Sequence, residues 1–252
     1  MSYYCADFEI GCHDTDENNN VRPTELVRLL QETANRQMRD RRPSYVEFFN
    51  MGKAFVITKL SVEIFDQLHQ FDKVQVRTWT CTGKAATFPR SYQIWRGEEL
   101  VVQAHSEWAV PDRFTGKLSK TTEIDISEYE LDEALTLPLL KRIRFPKDMA
   151  FHPVEKHQVR YSECDMNRHM NNTNYFNLLW DRIPEVMRKQ VTSLNIRFIH
   201  EAPLGGGIEI SMAEAEQKMA GDSRAKEVWA FKTAVSEGTN VECLIGVKEI
   251  DD

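Results

Sequence analysis

Apolar residues recur along this chain with two different periods, and the changes of period mark out its elements. Leu26, Val27, Leu29, Leu30, Ala34 and Met38 fall at the three-to-four-residue spacing of a helix buried along one stripe. Pro23, whose missing N–H costs nothing in a first turn, supplies the start. A short second helix is expected next, because Ser44 and Glu47 have capping-box spacing, Phe48, Phe49 and Met51 are apolar, and Gly52 can end it. From there the period falls to two. After a first short strand near 4–10, segments 54–65, 73–81, 87–95 and 100–110 read as strands. The Arg96-Gly97-Glu98-Glu99 break is a hairpin turn, and 112–116 is a further turn. From about 120 to 157 no period holds for long, and Pro138, Pro146 and Pro153 interrupt a partly acidic stretch that reads as an irregular connection.

The pattern then starts again. Tyr175, Leu178, Leu179, Ile183, Val186 and Met187 predict a second amphipathic helix, N-capped by Asn171 or Asn172. Asp16 matches Asp165, Asn18 matches Asn167, Asn20 falls opposite His169, and Leu29-Leu30 falls opposite Leu178-Leu179, all at an offset of 149, the difference between 165 and 16. Past the helix the offset becomes 134, the difference between 194 and 60, because the second copy lacks the short second helix. LSVEIF then lies over LNIRFI, and YQIWRGEELVVQAHSEW over FKTAVSEGTNVECLIGV. The chain is a duplicated α+β unit, with an N-terminal domain at 1–120, a connection at 121–157 and a C-terminal domain at 158–252. Strand, helix, then several sequential strands suits an antiparallel sheet wrapped around one mostly buried helix.

Composition narrows the partners. At 252 residues each copy can bury its own core, and no apolar run approaches the ~20 residues of a membrane span. The first residues lack a basic stretch followed by an apolar one, so the expectation is a cytoplasmic chain with no membrane contact. A net charge of −7 disfavours nucleic acid. Five scattered cysteines with no C-x-x-C pair argue against disulfides and structural zinc, and four are read as small buried hydrophobes. Cys164, beside Asp165, is read as structural too.

Candidate chemistry centres on Asp165, Asn167 and His169, whose alternation places three polar side chains on one side of an extended segment. They lie at an expected helix N-terminus, where unpaired N–H groups can stabilise an anion or oxyanion, with 170–172 as the candidate donors. Differences between the copies sharpen this. The first copy has Asn20 opposite His169 and Gln67 opposite Glu201. Amides hydrogen-bond but cannot act as general acids or bases near neutral pH, so one active site per chain is expected, on the C-terminal half.

The run CDMNRHMNNTNYFNLLWD resembles the signature of the acyl-acyl-carrier-protein thioesterases, a plant plastid and bacterial family, and the resemblance extends over about 4–247. It implies a tandem double hotdog, two antiparallel sheets each wrapped around a long central helix. The implied reaction is hydrolysis of fatty acyl-acyl carrier protein to free fatty acid, without cofactor or metal. The partner would be an acyl carrier protein bearing its chain on 4′-phosphopantetheine, and a homodimer is left open. Asp165, Asn167, His169 and Glu201 become the catalytic set, with Glu201 or Asp165 taking a proton from water. Asn171, Asn172, Ala54 and Val56 become substrate-binding residues. The acyl tail is expected in the N-terminal unit, with Phe55, Phe65, Trp79, Phe88, Tyr92, Trp95 and Trp108 as candidate lining. Plant members carry a cysteine directly after the glutamate; here Ala202 follows Glu201, which disfavours a cysteine nucleophile. Two basic clusters, Arg36, Arg39, Arg41 and Arg42, and Arg182, Arg188 and Lys189, are candidate docking patches for an acidic carrier. The same fold hosts acyl-CoA thioesterases, dehydratases and acyl-CoA-sensing regulators, so carrier protein versus coenzyme A stays open.

Overall fold

A computed structural model describes residues 2–137 and 143–250. Its elements, in chain order, are β1 (Tyr4–Glu9), α1 (Pro23–Asp40), α2 (Tyr45–Asn50), β2 (Val56–Ile64), β3 (Lys73–Thr80), β4 (Phe88–Arg96), β5 (Glu99–Ala109), β6 (His152–Gln158), α3 (Asn174–Trp180), β7 (Lys189–Phe198), β8 (Gly207–Ala215), β9 (Glu227–Val235) and β10 (Gly238–Glu249). The strands form one antiparallel sheet in the order β1-β3-β4-β5-β2-β7-β10-β9-β8-β6. Gly97, at φ 60°, makes the β4–β5 turn where the sequence places it.

That order is one five-strand arrangement followed by its inverse, which is the duplication made visible. The halves join where β2 pairs with β7, with Leu60 opposite Ile196, Ser61 opposite Asn195 and Val62 opposite Leu194. Ser61 therefore faces its own repeat counterpart, and a pseudo-two-fold axis passes through the pair, whose buried side chains hydrogen-bond at 2.7 Å. Two sheets were expected; the sheet is continuous, because joining the β2 and β7 edges satisfies two open rows of backbone N–H and C=O groups at once. The helices obey the same axis. Thr24 Oγ donates to Thr173 O at 3.0 Å and accepts Asn177 N–H at 2.9 Å, and Thr24 and Thr173 are themselves repeat partners. Both helices pack on one face of the sheet, where Leu26, Val27, Leu30, Tyr175, Phe176 and Leu179 share a single core with Val76, Ile94, Val102, Leu194, Phe231 and Ile245.

The stripe, the Pro23 start and the Ser44–Glu47 capping box of the first half are all present. The second half departs from expectation. Its helix is not long: α3 has 7 residues and stops at Trp180. Pro184 can neither donate to the preceding turn nor leave Ile183 in helical backbone, and Glu185 turns left-handed at φ 51°. Ile183 stays buried and 186–188 form one 3₁₀ turn. Strand β6 lies inside the stretch read as irregular. It is an edge strand, largely exposed and interrupted at Pro153, and alternation is written only into strands with one buried face. Residues 130–135 of the connection run along the first-half sheet, where Thr80 N donates to Glu130 O (2.8 Å), Trp79 Nε1 to Glu133 O (2.8 Å) and Leu135 N to Ser91 Oγ (3.1 Å), whereas Ile143, Phe145, Met149 and Phe151 pack against Ala220, Ala225, Val228, Ala230 and Leu244 of the second half. Pro138 lies outside the described residues. Of the apolar residues in the short α2 region only Phe48 is buried, while Phe49 and Met51 are exposed. Cys81 and Cys243 are buried as read, but Cys5 and Cys12 are exposed. Among the described residues no helix is long and apolar enough to cross a membrane.

Candidate active site

The segment carrying Asp165, Asn167 and His169 is a turn and not an extended strand. Asp165 N donates to His169 O and Arg168 N to Asp165 O, each at 3.0 Å, with Arg168 left-handed at φ 67°. The Asp165 carboxylate makes this turn locally stable by accepting Asn167 N–H at 2.8 Å, an Asx turn that competes with strand backbone. It also accepts Asn167 Nδ2 at 3.4 Å. Asp16 builds the same loop in the first half, accepting Asn18 N–H and Asn20 N–H at 2.9 Å, with Asn19 left-handed at φ 61°. Asp165 and Asn167 thus face each other, and His169 faces elsewhere.

What His169 meets is Glu201. The chain after β7 runs beside the turn, with Met170 N donating to Ala202 O at 2.9 Å; the first half repeats this with Val21 N to Leu68 O at 2.8 Å. His169 Nδ1 then lies 2.9 Å from Glu201 Oε2, the side chains 33% and 62% exposed. The two atoms are close without being aligned as a hydrogen bond, so Nδ1 has no hydrogen-bond partner in this state. In the first half the equivalent amides are closed off: Asn20 and Gln67 are buried, and Gln67 Nε2 donates to Val191 O at 2.8 Å across the join. The ionisable pair is open to solvent and the amide pair is not.

Two braces escaped the sequence reading. Glu163 Oε2 accepts Arg160 N–H at 2.7 Å and lies 2.9 Å from His157 Nε2, while its carbonyl accepts Asn171 N–H and Asn174 Nδ2 at 2.8 Å. A signal existed, since Glu163 falls opposite Asp14, which accepts Gly11 N–H at 2.7 Å. Buried Asn240 donates to His200 O at 2.5 Å and to Tyr175 Oη at 2.9 Å, fixing the segment that presents Glu201. Burial pushes the Tyr175 phenol up to about 12. Nothing local in the sequence marks Asn240, which acts from the far strand. The expected oxyanion donors are in part engaged: Met170 N–H serves Ala202 O and Asn171 N–H serves Glu163 O. Asn171 Oδ1 accepts Thr173 N–H at 2.9 Å and Thr173 Oγ–H at 2.8 Å, which makes it a turn former. Asn172 sits half-buried beside it. Burial, with the Asp165 and Glu163 carboxylates, holds the Cys164 thiol above its ordinary pKa, the opposite of what a nucleophilic thiolate needs.

A family model described as the acyl-ACP thioesterase N-terminal domain matches residues 2–129, and one described as the acyl-ACP thioesterase C-terminal domain matches 147–242. The chain belongs to the acyl-ACP thioesterase family. It is 23% identical over 194 residues to the chloroplastic palmitoyl-acyl carrier protein thioesterase of Gossypium hirsutum, covering 72% of this chain and 47% of that protein. To the chloroplastic oleoyl-acyl carrier protein thioesterase of Coriandrum sativum it is 24% identical over 205 residues, covering 72% and 54%. The chain spans about half the length of these curated relatives. Its hotdog-like fold is shared with the crystal structure of an acyl-ACP thioesterase from Bacteroides thetaiotaomicron (TM-score 0.83, 18% identity, 98% of each chain). The same holds for the 12:0-ACP thioesterase from Umbellularia californica (TM-score 0.82, 14% identity, 98% of this chain and 94% of that one).

This member of the acyl-ACP thioesterase family also has a narrow, mostly apolar crevice in its first half. It is lined by Ala34, Asn35, Met38, Phe55, Thr80, Cys81, Phe88, Pro89, Arg90, Trp108, Ile126 and Tyr129. Phe55 faces it, and the flanking Ala54 and Val56 do not contribute to its wall. Of the other aromatic candidates Phe88 and Trp108 line it, Trp79 and Tyr92 are wholly buried, Phe65 lies under the Arg224 guanidinium, and Trp95 packs on Arg77. Helix α2 reaches from this cavity to the turn: Phe48 packs on Phe55 with ring centroids 4.8 Å apart, and Tyr45 Oη lies 2.9 Å from Met166 Sδ.

Proposed function

We propose that this chain hydrolyses the thioester linking a fatty acyl group to acyl carrier protein. The observation that carries the reading is the open His169–Glu201 pair at 2.9 Å, set against the closed Asn20 and Gln67 of the other copy. Glu201 takes a proton from water as its oxygen bonds to the thioester carbon. The tetrahedral intermediate then expels sulfur, the proton is returned to the leaving thiolate through His169, and the products are a free fatty acid and the carrier's phosphopantetheine thiol. Glu201 is favoured over Asp165 as base because both Asp165 oxygens accept from Asn167, whereas Glu201 stands at the imidazole. Asp165 and Asn167 shape the turn that holds His169, with Asn171 and Asn172 behind it. The first unit, 1–120, and the second, 158–252, are read as two hotdog units sharing one sheet, the acyl chain lying in the first-unit cavity. Relatives named palmitoyl- and oleoyl-acyl carrier protein thioesterases support a fatty acyl substrate. Acyl-coenzyme A is the second reading, favoured by the ion pairs that engage all four arginines of the first expected docking cluster and both Arg182 and Lys189 of the second.

The test is turnover of palmitoyl-carrier protein, with crotonyl-carrier hydration assayed beside it. His169→Ala and Glu201→Gln should each lower kcat/KM by ~10²–10⁴-fold with the circular dichroism spectrum unchanged. Gln67→Ala should leave turnover largely intact. Near-wild-type hydrolysis by a folded His169→Ala protein would sink the reading, and hydration exceeding hydrolysis would make the chain a dehydratase.

A further inference from the structure

Arg90 is the anomaly of the first-half cavity. The residue is 7% exposed and lines a space otherwise walled largely by Met38, Phe55, Phe88 and Trp108. Nη1 donates to Gln37 Oε1 and, at 3.1 Å, to Thr78 Oγ. Among the described residues no carboxylate lies within ion-pair distance of the guanidinium, and its Nε and Nη2 hydrogens have no hydrogen-bond partner. The Glu130 carboxylate is one side chain removed, already accepting Gln37 Nε2 at 2.5 Å and pairing with Arg41. Tyr129, also in the wall, gives its hydroxyl hydrogen to Pro43 O at 2.6 Å.

A guanidinium taken out of water without a counter-ion is costly, and a site that keeps one is completed by something else. The fold does not require it. Thr80 pairs with Arg90 across β3 and β4, the repeat position Glu214 pairs with Trp229 across β8 and β9, and so the second half carries an indole where the first carries a charge. Resting on the thioesterase reading, we infer that the cavity takes an acyl chain bearing an oxygen-containing group remote from the thioester, a carboxylate above all, and that Arg90 determines this preference. The remaining N–H groups of a guanidinium present the planar fork that fits a carboxylate. A chain ending in a methyl group would leave the charge unmet.

Non-hydrolysable probes test this without turnover: alkyl amides ending in a methyl group and the matching monoamides of α,ω-dicarboxylic acids, over a series of chain lengths. Binding is read by tryptophan fluorescence and calorimetry on wild type, Arg90→Lys, Arg90→Met and Arg90→Gln, each checked for folding by circular dichroism. At the best length the carboxylate-ended probe should bind wild type about tenfold or more tighter than its methyl-ended partner. Arg90→Lys should keep part of that preference, and the two neutral variants should lose or invert it. Equal binding of both probes at every length, or a preference that survives in whichever neutral variant folds, overturns the inference. Carrier-protein thioesters of the same chains separate the two readings: no hydrolysis of any of them, with the probe preference intact, would remove the thioesterase reading and leave the Arg90 site standing.

Discussion

His105 is buried on β5 with Nδ1 3.0 Å from Ser91 Oγ, and that burial lowers its pKa below the ordinary 6.5. An unfolded chain takes up a proton near pH 6.5 that the folded one refuses. The fold's stability is therefore undiminished above that pH and falls as pH drops through 6.5 toward the depressed value. Thermal unfolding between pH 7 and pH 5 should show a smaller loss of Tm in His105→Gln than in wild type, and identical losses would remove His105 from the acid response. The same scale holds what was most and least legible at the site. The substitutions of His169 by Asn20 and of Glu201 by Gln67 could be read directly because residue identity survives in the sequence. The orientation of Asp165 could not, since an Asx turn and a strand compete through hydrogen bonds that alternation does not encode.

Helix α2 is six residues long, too short to persist by propensity, and depends on Phe48 and on its cap. Ser44 N donates to Glu47 Oε2 at 2.6 Å, and Glu47 N to Ser44 Oγ at 3.4 Å. Ser44→Ala should cost ~1 kcal/mol, localised to α2 and seen as faster amide exchange at 45–50. Since Tyr45 touches Met166, KM for a long acyl substrate should rise while kcat changes less. Unchanged exchange would show that packing alone holds the helix. The capping box was readable because its partners are three residues apart. The shortness of α3 was masked by Ile183, Val186 and Met187, which continue the apolar spacing past the point where Pro184 stops the backbone.

Charge distributes differently over the whole molecule than along the chain. The arginines ending α1 are each paired: Arg36 with Glu32 (3.1 Å), Arg39 with Asp40 (2.6 Å), Arg41 with Glu130, and Arg42 with Glu47 (3.4 Å). In the second cluster Arg182 pairs with Glu155 and Lys189 with Glu227. Arg160 and Arg168 flank the turn, exposed and outside any ion pair among the described residues. With Arg188, exposed and likewise outside any ion pair, they are the cations an acidic carrier protein would find before the paired ones. Arg168→Glu should lower kcat/KM for acyl-carrier protein severalfold and flatten its salt dependence, sparing a short acyl-CoA, while Arg39→Glu should do less. Equal losses on both substrates would indicate damage to the turn.

Residue types at fixed spacing established the duplication, the first helix and the half that retains an ionisable pair, because all three are properties of neighbours along the chain or of one copy laid over the other. The union of both copies into one sheet, the edge strand β6, the bracing of Glu201 by Asn240 and the enclosure of Arg90 were decided by the tertiary structure alone. Each depends on groups far apart in sequence meeting across the β2–β7 join, along a sheet edge or inside a cavity, where partners are selected by which backbone edges and side chains are left unsatisfied once the local elements have formed.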